Sequence, residues 1–164
     1  MQEAGIIRIY GDSVLKKKCK EVTEVDKDIQ KLVNVMAQAM YQHRGVGLAA
    51  SQIGILRRVI VVDAGEGLIA LINPKILWQK GKDILAEGCL SFPGVTLEIK
   101  RSREIMVEAL NNRGEQVKLN ASGVLARIIQ HEVDHLDGVL IIDRVPRKRL
   151  KTISKELADL KGKV

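Results

Sequence analysis

A chain of 164 residues fits one domain that is large enough to bury a hydrophobic core without disulfide bonds. Its composition is 46% hydrophobic but only 2% aromatic, so the core must be built from aliphatic side chains. The net charge of +7 is concentrated near the end of the chain, because residues 147–164 contain seven Lys or Arg and two acidic residues, a balance of +5.

The sequence lacks the patterns that are typical of membrane and secreted proteins. No uninterrupted apolar run approaches the length of a membrane span, and residues 1–5 lack the basic segment that opens a secretory signal. We therefore expect a cytoplasmic protein without membrane contacts, in which the two cysteines stay reduced.

The first third of the chain predicts one helix and one glycine-rich loop. Residues 6–10 are apolar and predicted to be weakly ordered. Asp26 is a typical N-cap, and apolar residues then recur at helical spacing, so we predict a helix that ends near Arg44. Residues 45–54 contain G-x-G-x-x-A, but a dinucleotide-binding loop follows a strand rather than a helix. We predict instead a loop whose backbone groups hold an extended ligand, with the Gln52 amide beside them.

The middle of the chain has the short runs and turn signals of antiparallel strands. Turn signals occur at residues 73–74, 92–94 and 112–114. The predicted strands are residues 59–63, 68–72, 76–78, 95–99, 105–110 and 117–119.

A second helix follows, capped by Asn120 or Ser122, and its apolar side chains predict burial against the sheets. Residues 139–142 are predicted as a further strand, and residues 147–164 as one basic amphipathic helix. Together these elements predict an α+β fold. Short antiparallel β-sheets would pack around a central α-helix, with an N-terminal helix and a basic C-terminal helix.

The central helix carries the sequence H-E-x-x-H, which begins at His131. Residues four apart lie on one face of a helix, so His131 and His135 can direct imidazole nitrogens at one metal ion. Glu132 flanks that point and can take a proton from an activated water. This pattern is typical of metallohydrolases and predicts that the central helix binds a metal. The alternative is an ordinary amphipathic helix with two hydrogen-bonded histidines.

A catalytic metal site of this kind needs a third protein ligand. One extended form of the motif places a histidine three residues after a glycine, but here Gly138 is followed at that spacing by Ile141. The remaining soft or imidazole donors are Cys19, His43 and Cys89. Cys19 lies in a run of lysines, and His43 lies near a helix end, where histidine more often stabilises the helix C-terminus. Cys89 lies beside a glycine between two strand-like runs and is the best candidate.

Three motifs together resemble the peptide deformylase family, whose members remove the N-terminal formyl group from nascent bacterial polypeptides. They are G-V-G-L-A-A-S-Q at residues 45–52, E-G-C-L-S at residues 87–91 and Q-H-E-V-D-H-L-D-G at residues 130–138. The resemblance covers nearly the whole chain, and the one departure is Ser51, where many members carry proline. It implies a single catalytic domain over residues 1–146, with residues 147–164 as a C-terminal helix of that domain.

The resemblance also implies a role for each site residue. The implied metal ligands are Cys89, His131 and His135. They would bind one divalent metal, Fe(II), replaceable by Ni(II), Co(II) or Zn(II). Glu132 would act as general base and acid for water attack on the formyl group, and Gln52 with the backbone N–H of Leu90 would stabilise the oxyanion. The products would be formate and a free N-terminal methionine, which is a step of N-terminal methionine processing in protein biosynthesis.

The resemblance further implies how an N-formylmethionyl nascent peptide binds. The peptide would lie extended along Val46 and Gly47 and near Gly88, paired through backbone groups. The candidate residues for an apolar methionine pocket are Val46, Leu90, Val124 and Ile128. If the likeness extends to the ribosome, the basic C-terminal helix contacts rRNA phosphates there. A packed helix with a solvated charged face is the alternative.

Two other functions are compatible with parts of the sequence. A metalloprotease of another lineage would keep Glu132 and both histidines but would not require Cys89. A nucleic-acid-binding protein with a structural zinc would need a fourth protein ligand, and none is evident near the histidines. A deformylase releases formate from formyl-peptides, whereas a metalloprotease cleaves internal peptide bonds. Loss of activity in Glu132→Gln distinguishes a deformylase from a protein with a structural zinc.

Overall fold

The computed structural model describes residues 5–164, so residues 1–4 of the N-terminal segment lie outside the described residues. The strands are β1 (Gly47–Ala49), β2 (Val59–Val62), β3 (Ile69–Lys80), β4 (Asp83–Glu87), β5 (Leu97–Arg101), β6 (Glu104–Leu110) and β7 (Gln116–Ser122). The α-helices are α1 (Lys27–Gln42), α2 (Gly123–Leu136), α3 (Arg147–Thr152) and α4 (Ser154–Lys161). Within this part of the chain, no helix combines the length and the hydrophobicity needed to cross a bilayer.

The strands form two antiparallel sheets. Five strands pair in the order β1-β2-β3-β6-β7, so β1 and β7 are edge strands, and β4 pairs with β5 in a separate two-stranded sheet. Because side chains alternate across a strand, the larger sheet presents an aliphatic layer on each face. Ile60, Leu71, Ile105 and Val107 pack toward α2, and Val59, Val61 and Ile72 pack toward α1.

The smaller sheet and the end of the chain share a third cluster. Phe92, Leu97, Ile99, Leu140 and Leu160 belong to it. Side chains of α2 also bond the backbone of the smaller sheet, since Arg127 donates to the carbonyls of Asp83 and Ile99. The helix α2 therefore lies between the two sheets, and the predicted mixed fold around a central helix is confirmed.

Local sequence signals predicted the first two helices well. The Asp26 side chain caps α1 by accepting from the Ile29 N–H at 2.9 Å, and His43 is the C-cap residue of that helix. Ser122 is the N-cap residue of α2, although its side chain makes no capping hydrogen bond.

The predicted turn at residues 73–74 is wrong, because the chain continues through it as the single strand β3. The register shifts between Ile72 and Lys75, which marks a bulge. Asn73 has a φ of 53°, and its side chain bonds both backbone groups of Val22, at 2.8 and 2.7 Å. Asparagine tolerates this left-handed conformation, so the Asn-Pro pair bends the strand without ending it. The short strands β1 and β4 were not predicted.

Residues 139–142 do not form the predicted strand. The segment Ile141–Arg144 is a 3₁₀ turn, in which the Asp143 side chain accepts from the Leu140 N–H at 2.8 Å. Leu140 and Ile141 are buried in the third cluster. Their apolar character therefore reflects burial, which a short apolar run cannot distinguish from strand pairing.

The predicted single C-terminal helix is divided into α3 and α4 at Ile153. The Thr152 hydroxyl donates to the carbonyl of Arg149 at 2.6 Å, and such bonds compete with continued helix. The break places Ile153 and Leu160 together in the third cluster, while the basic side chains of both helices remain exposed.

Candidate metal centre

Cys89, His131 and His135 come together beside α2. Their ligand atoms all lie within 4.8 Å of one another, and Cys89 Sγ is 3.3 Å from His135 Nε2. The two histidines are buried and Cys89 is partly buried. A thiolate and two imidazoles are donors that borderline divalent metals prefer, and three ligands leave one position open. This group could hold one divalent metal ion.

Glu87, the last residue of β4, fixes the orientation of His131. Glu87 Oε1 lies 2.9 Å from His131 Nδ1, which leaves His131 Nε2 for a metal. Arg101 donates to both oxygens of Glu87, at 2.9 and 3.0 Å, and Arg127 donates to Oε2. Burial opposes ionisation of this carboxyl, but the hydrogen bonds from His131 and Arg101 outweigh it and lower the pKa of Glu87 to about 2. The carboxylate is therefore charged and holds the His131 N–H.

The two histidines differ in proton affinity. Burial lowers the pKa of His135 well below its usual value, so its imidazole is neutral. Burial also opposes a charge on His131, but hydrogen bonds with Cys89 and Glu87 raise its pKa well above the usual value. A metal that binds at this group must therefore displace a proton from His131.

Glu132 lies beside the three candidate metal ligands and is shielded from solvent. It is only 4% exposed, and its Oε2 has no hydrogen-bond partner among the described residues. Burial raises the pKa of Glu132 to about 7, although the charge of His131 acts in the opposite direction. A carboxyl group that titrates near neutrality can accept a proton and return it. An unpartnered carboxylate oxygen beside three metal donors fits a site that binds a metal and a water.

Gly47 of β1 packs directly against this carboxylate. A Cβ atom at Gly47 would lie 2.7 Å from Glu132 Oε1 and 2.8 Å from Ile128 Cγ2, so a larger residue does not fit. The free edge of β1 is therefore in contact with Glu132, the candidate general base.

Gln52 and Leu90, the predicted oxyanion donors, lie at the same site. Two hydrogen bonds fix the amide group of the Gln52 side chain. Its Oε1 accepts from the Ala49 N–H at 2.9 Å, and its Nε2 donates to Ser91 Oγ at 3.2 Å. The same Nε2 is 3.6 Å from Cys89 Sγ. The Leu90 N–H donates to no acceptor in residues 5–164. Both donors are thus adjacent to the metal ligands.

A cavity of about 620 Å³ opens beside the donors. All of the residues predicted to bind substrate line it, and these are Val46, Gly47, Gly88, Leu90, Val124 and Ile128. Leu85 of the unpredicted strand β4 adds a further apolar side chain. Val46, Leu85 and Val124 are 55%, 47% and 62% exposed, so apolar side chains are accessible at the mouth of the cavity.

The other two candidate ligands lie elsewhere. Cys19 is buried in the core between α2 and the larger sheet, where burial raises the pKa of its thiol. His43 is exposed at the end of α1. Neither side chain belongs to the donor group found in the described part of the chain.

The family model for polypeptide deformylase matches residues 5–151, which is most of the chain. The chain belongs to the polypeptide deformylase family. A peptide deformylase of Halothermothrix orenii is 52% identical over 143 residues, which are 86% of this chain and 93% of the relative. That of Thermotoga maritima is 49% identical over 156 residues, which are 94% of each chain.

Solved structures of the family have the same fold. The crystal structure of the peptide deformylase from Thermotoga maritima matches with a TM-score of 0.86 at 47% identity, over 88% of this chain and 99% of that chain. A plant peptide deformylase matches with a TM-score of 0.93 at 36% identity, over 99% and 92% of the two chains. The predicted family, mixed fold and hydrolase class are confirmed.

Sequence reasoning missed the ionic network behind His131. Glu87 stood in a recognised motif, but its partners Arg101 and Arg127 are 14 and 40 residues away. One signal could have revealed Arg101, because it continues the inward alternation of Leu97 and Ile99 along β5. A charged residue at an apolar position of a strand indicates a buried ion pair.

Proposed function

We propose that this protein hydrolyses the N-formyl group of formylmethionyl peptides and releases formate and a free N-terminal methionine. The observation that carries the proposal is the unpartnered, buried carboxylate of Glu132 beside a Cys/His/His donor group in a member of this family. The predicted catalytic domain and its C-terminal segment form the unit to which we assign this activity.

Cys89, His131 and His135 would hold the divalent metal that the donor set fits. When bound, the metal supplies a Lewis acid that lowers the pKa of water and polarises the formyl carbonyl. We propose Fe(II), replaceable by Ni(II), Co(II) or Zn(II), because a thiolate ligand favours these softer divalent ions over magnesium or calcium.

Glu132 would move the proton. It accepts a proton from the attacking water as the formyl carbon becomes tetrahedral, and it returns that proton to the leaving amine as the carbon–nitrogen bond breaks. The negative charge on the formyl oxygen would be met by the Gln52 amide and the Leu90 N–H. Because Ser91 and Ala49 already hold the Gln52 side chain, this donor needs little reorganisation when the charge develops.

The free edge of β1 would bind the peptide backbone. The Asp63 N–H donates to the Val46 carbonyl at 2.8 Å, and bonded pairs alternate along an antiparallel ladder. The N–H and C=O of Gly47 therefore point away from β2, toward the cavity. An extended peptide can pair with them as an added strand, near Gly88 on the other side. Such pairing involves no side chain and suits an enzyme that accepts many nascent chains.

The methionine side chain would occupy the apolar part of the cavity. The candidate contacts are Val46, Leu90, Val124 and Ile128, joined by Leu85. Burial of an apolar side chain there contributes affinity, whereas the backbone pairing sets the position of the formyl group.

Formate release tests this function against a metalloprotease. A formylmethionyl peptide and its N-acetyl counterpart would be incubated with protein purified without oxygen, and formate and peptide fragments would be measured. We expect formate from the formyl-peptide and no internal cleavage of either peptide. Fragments from internal peptide bonds without formate would replace the proposal with a protease. A structural zinc site is not supported, since the donor group in residues 5–164 has three members rather than four.

We further propose that residues 147–164 dock on ribosomal RNA, which would place the enzyme in the cytoplasm beside emerging chains. All seven Lys and Arg side chains of this segment are exposed, and phosphate contacts give affinity without sequence choice. Co-sedimentation with ribosomes tests this. The double variant Lys148→Glu with Lys151→Glu should lose salt-sensitive binding, whereas the same exchange at Lys27 and Lys31 of α1 should retain it. Equal binding of both variants would contradict the proposal.

A further inference from the structure

One charged side chain stands at the mouth of the cavity without a partner. Arg44 lines the cavity and is exposed, and no ion pair or hydrogen bond joins its guanidinium to another residue of the range 5–164. The other arginine in the lining, Arg127, is buried and bonded to Glu87. Arg44 is therefore the cation that is available to a ligand at this mouth.

The backbone fixes the position of Arg44. Its φ is 56°, in the left-handed region that favours glycine or asparagine over arginine. The Arg44 N–H donates to the carbonyl of Tyr41 at 3.0 Å, and the Gly45 N–H donates to Met40 at 2.8 Å, which closes the end of α1. These hydrogen bonds thus hold the backbone of Arg44 at a defined position on the rim of the cavity, from which its long cationic side chain extends.

The direction of a bound peptide follows from the burial of β1. The reacting carbonyl must lie beside Glu132, and Gly47 is the residue of β1 that abuts it. Beyond Gly47 the chain enters the core, since Leu48 and Ala49 are fully buried. In the opposite direction Val46 is exposed. A peptide that starts at Glu132 therefore runs out past Val46, antiparallel to β1, toward Arg44.

We infer that Arg44 is a specificity residue that favours an acidic side chain at the third or fourth position of the formyl-peptide. The inference rests on the proposed function. With methionine opposite Gly47, the third and fourth residues of an extended peptide lie about 7 to 10 Å farther out, past Val46 and on the side of the turn that carries Arg44. A guanidinium binds a carboxylate through two parallel hydrogen bonds and repels an ammonium.

The test uses formyl-Met-Ala-Ala-Ala amides in which the third or fourth residue is Glu, Gln or Lys. The amidated end removes a carboxylate that would bind the same arginine. At low salt we expect kcat/KM to be about three- to tenfold higher for the Glu peptide than for the Lys peptide, mainly through KM, since the contact exists before and during reaction. High salt should reduce the ratio.

Variants assign the preference to one side chain. Arg44→Gln should bring the Glu/Lys ratio near one, and Arg44→Lys should retain most of it. Arg113→Gln, which removes an equal charge from an exposed turn outside the cavity, should leave the ratio unchanged.

The outcomes separate the two proposals. A Glu/Lys ratio of kcat/KM near one in the parent would overturn the role of Arg44, and so would an equal ratio in the parent and Arg44→Gln. In both cases the release of formate would still support the proposed function. Loss of the preference in Arg113→Gln as well would also overturn it, in favour of long-range attraction by the whole protein. No formate from any peptide would overturn the proposed function and this inference with it.

Discussion

At the scale of single residues, one carboxylate connects the metal donors to the rest of the protein. Glu87 accepts from His131 on one side and from Arg101 and Arg127 on the other. Arg101 also donates to Asp134 at 2.6 Å, one residue before His135. Each charged group of this network therefore has at least one partner of opposite charge. The network can hold the imidazole of His131 without leaving one of these buried charges unpaired.

Replacing Glu87 with Gln should weaken both metal binding and folding. The amide keeps the size of the carboxylate but removes the charge between two arginines and the strong acceptor for His131. We expect metal affinity to fall about 10- to 100-fold and the free energy of unfolding of the metal-free protein to fall by about 3 kcal/mol. Chelator competition and urea unfolding measure the two effects.

The control for this variant is Glu98→Gln on the neighbouring strand. Glu98 is exposed, so this change should alter stability by less than about 0.5 kcal/mol and leave metal affinity unchanged. If Glu87→Gln bound metal as tightly as the parent, Glu87 would have no role in orienting His131.

The residues that sequence predicted and those that it missed differ in the range of their interactions. His131, Glu132 and His135 were predicted because helical spacing alone brings them to one face. Arg101 and Arg127, the partners of Glu87, were not predicted, because β4, β5 and α2 come together only in the folded chain. The strand β4 itself was not predicted either.

At the scale of elements, the edge strand β1 and the helix α2 meet at a point where only glycine fits. A methyl group at Gly47 would overlap Glu132 and Ile128, whereas Gly88, on the other side of the cavity, has nothing nearer than 3.9 Å to an added Cβ. The two glycines line the same cavity but differ in the space around them.

Gly47→Ala should therefore displace Glu132 and lower kcat/KM by about 100-fold, with a loss of unfolding free energy of about 1–3 kcal/mol from overpacking. Gly88→Ala is the matched control and should lose far less activity and less than about 1 kcal/mol of stability. Steady-state kinetics and urea unfolding of both variants test this. Equal activity of Gly47→Ala and the parent would show that the contact does not position Glu132.

Elements were predictable where their signals are local. The Asp26 cap and the helical spacing of apolar residues identified α1, and the burial of α2 followed from its composition. The prediction failed where tertiary contacts decide the conformation. Asn73 forms a bulge because its side chain bonds Val22, 51 residues away, and Leu140 is buried without joining a sheet.

At the scale of the whole molecule, the buried network makes stability depend on acidity. The pKa of Glu87 is about 2 in the folded protein and 4.5 as its ordinary value, a difference worth about 3 kcal/mol. Because the folded-state pKa is depressed, this stabilisation is fully present above about pH 4.5. It is lost as the pH falls through the range from about 4.5 to about 2.

Urea unfolding of the metal-free protein at about pH 6 and about pH 3 measures this contribution. We expect the parent to lose about 2 kcal/mol more than Glu87→Gln between the two conditions, since the variant has no carboxyl to protonate at this position. A chelator in both samples prevents metal loss from adding to the difference. Parallel loss in the two proteins would show that Glu87 is not the titrating group.

Formate release by Glu132→Gln and by the parent, at equal content of the same metal, tests both the reaction and the proton-transfer role of Glu132. Oε2 of Glu132 has no partner within the described residues, so glutamine should fold there and leave the three metal donors in place. We predict rapid release by the parent and a kcat that is about 100- to 10,000-fold lower in the variant. Comparable release by the two proteins would contradict the proton-transfer role of Glu132, and no release by the metal-loaded parent would contradict the proposed reaction.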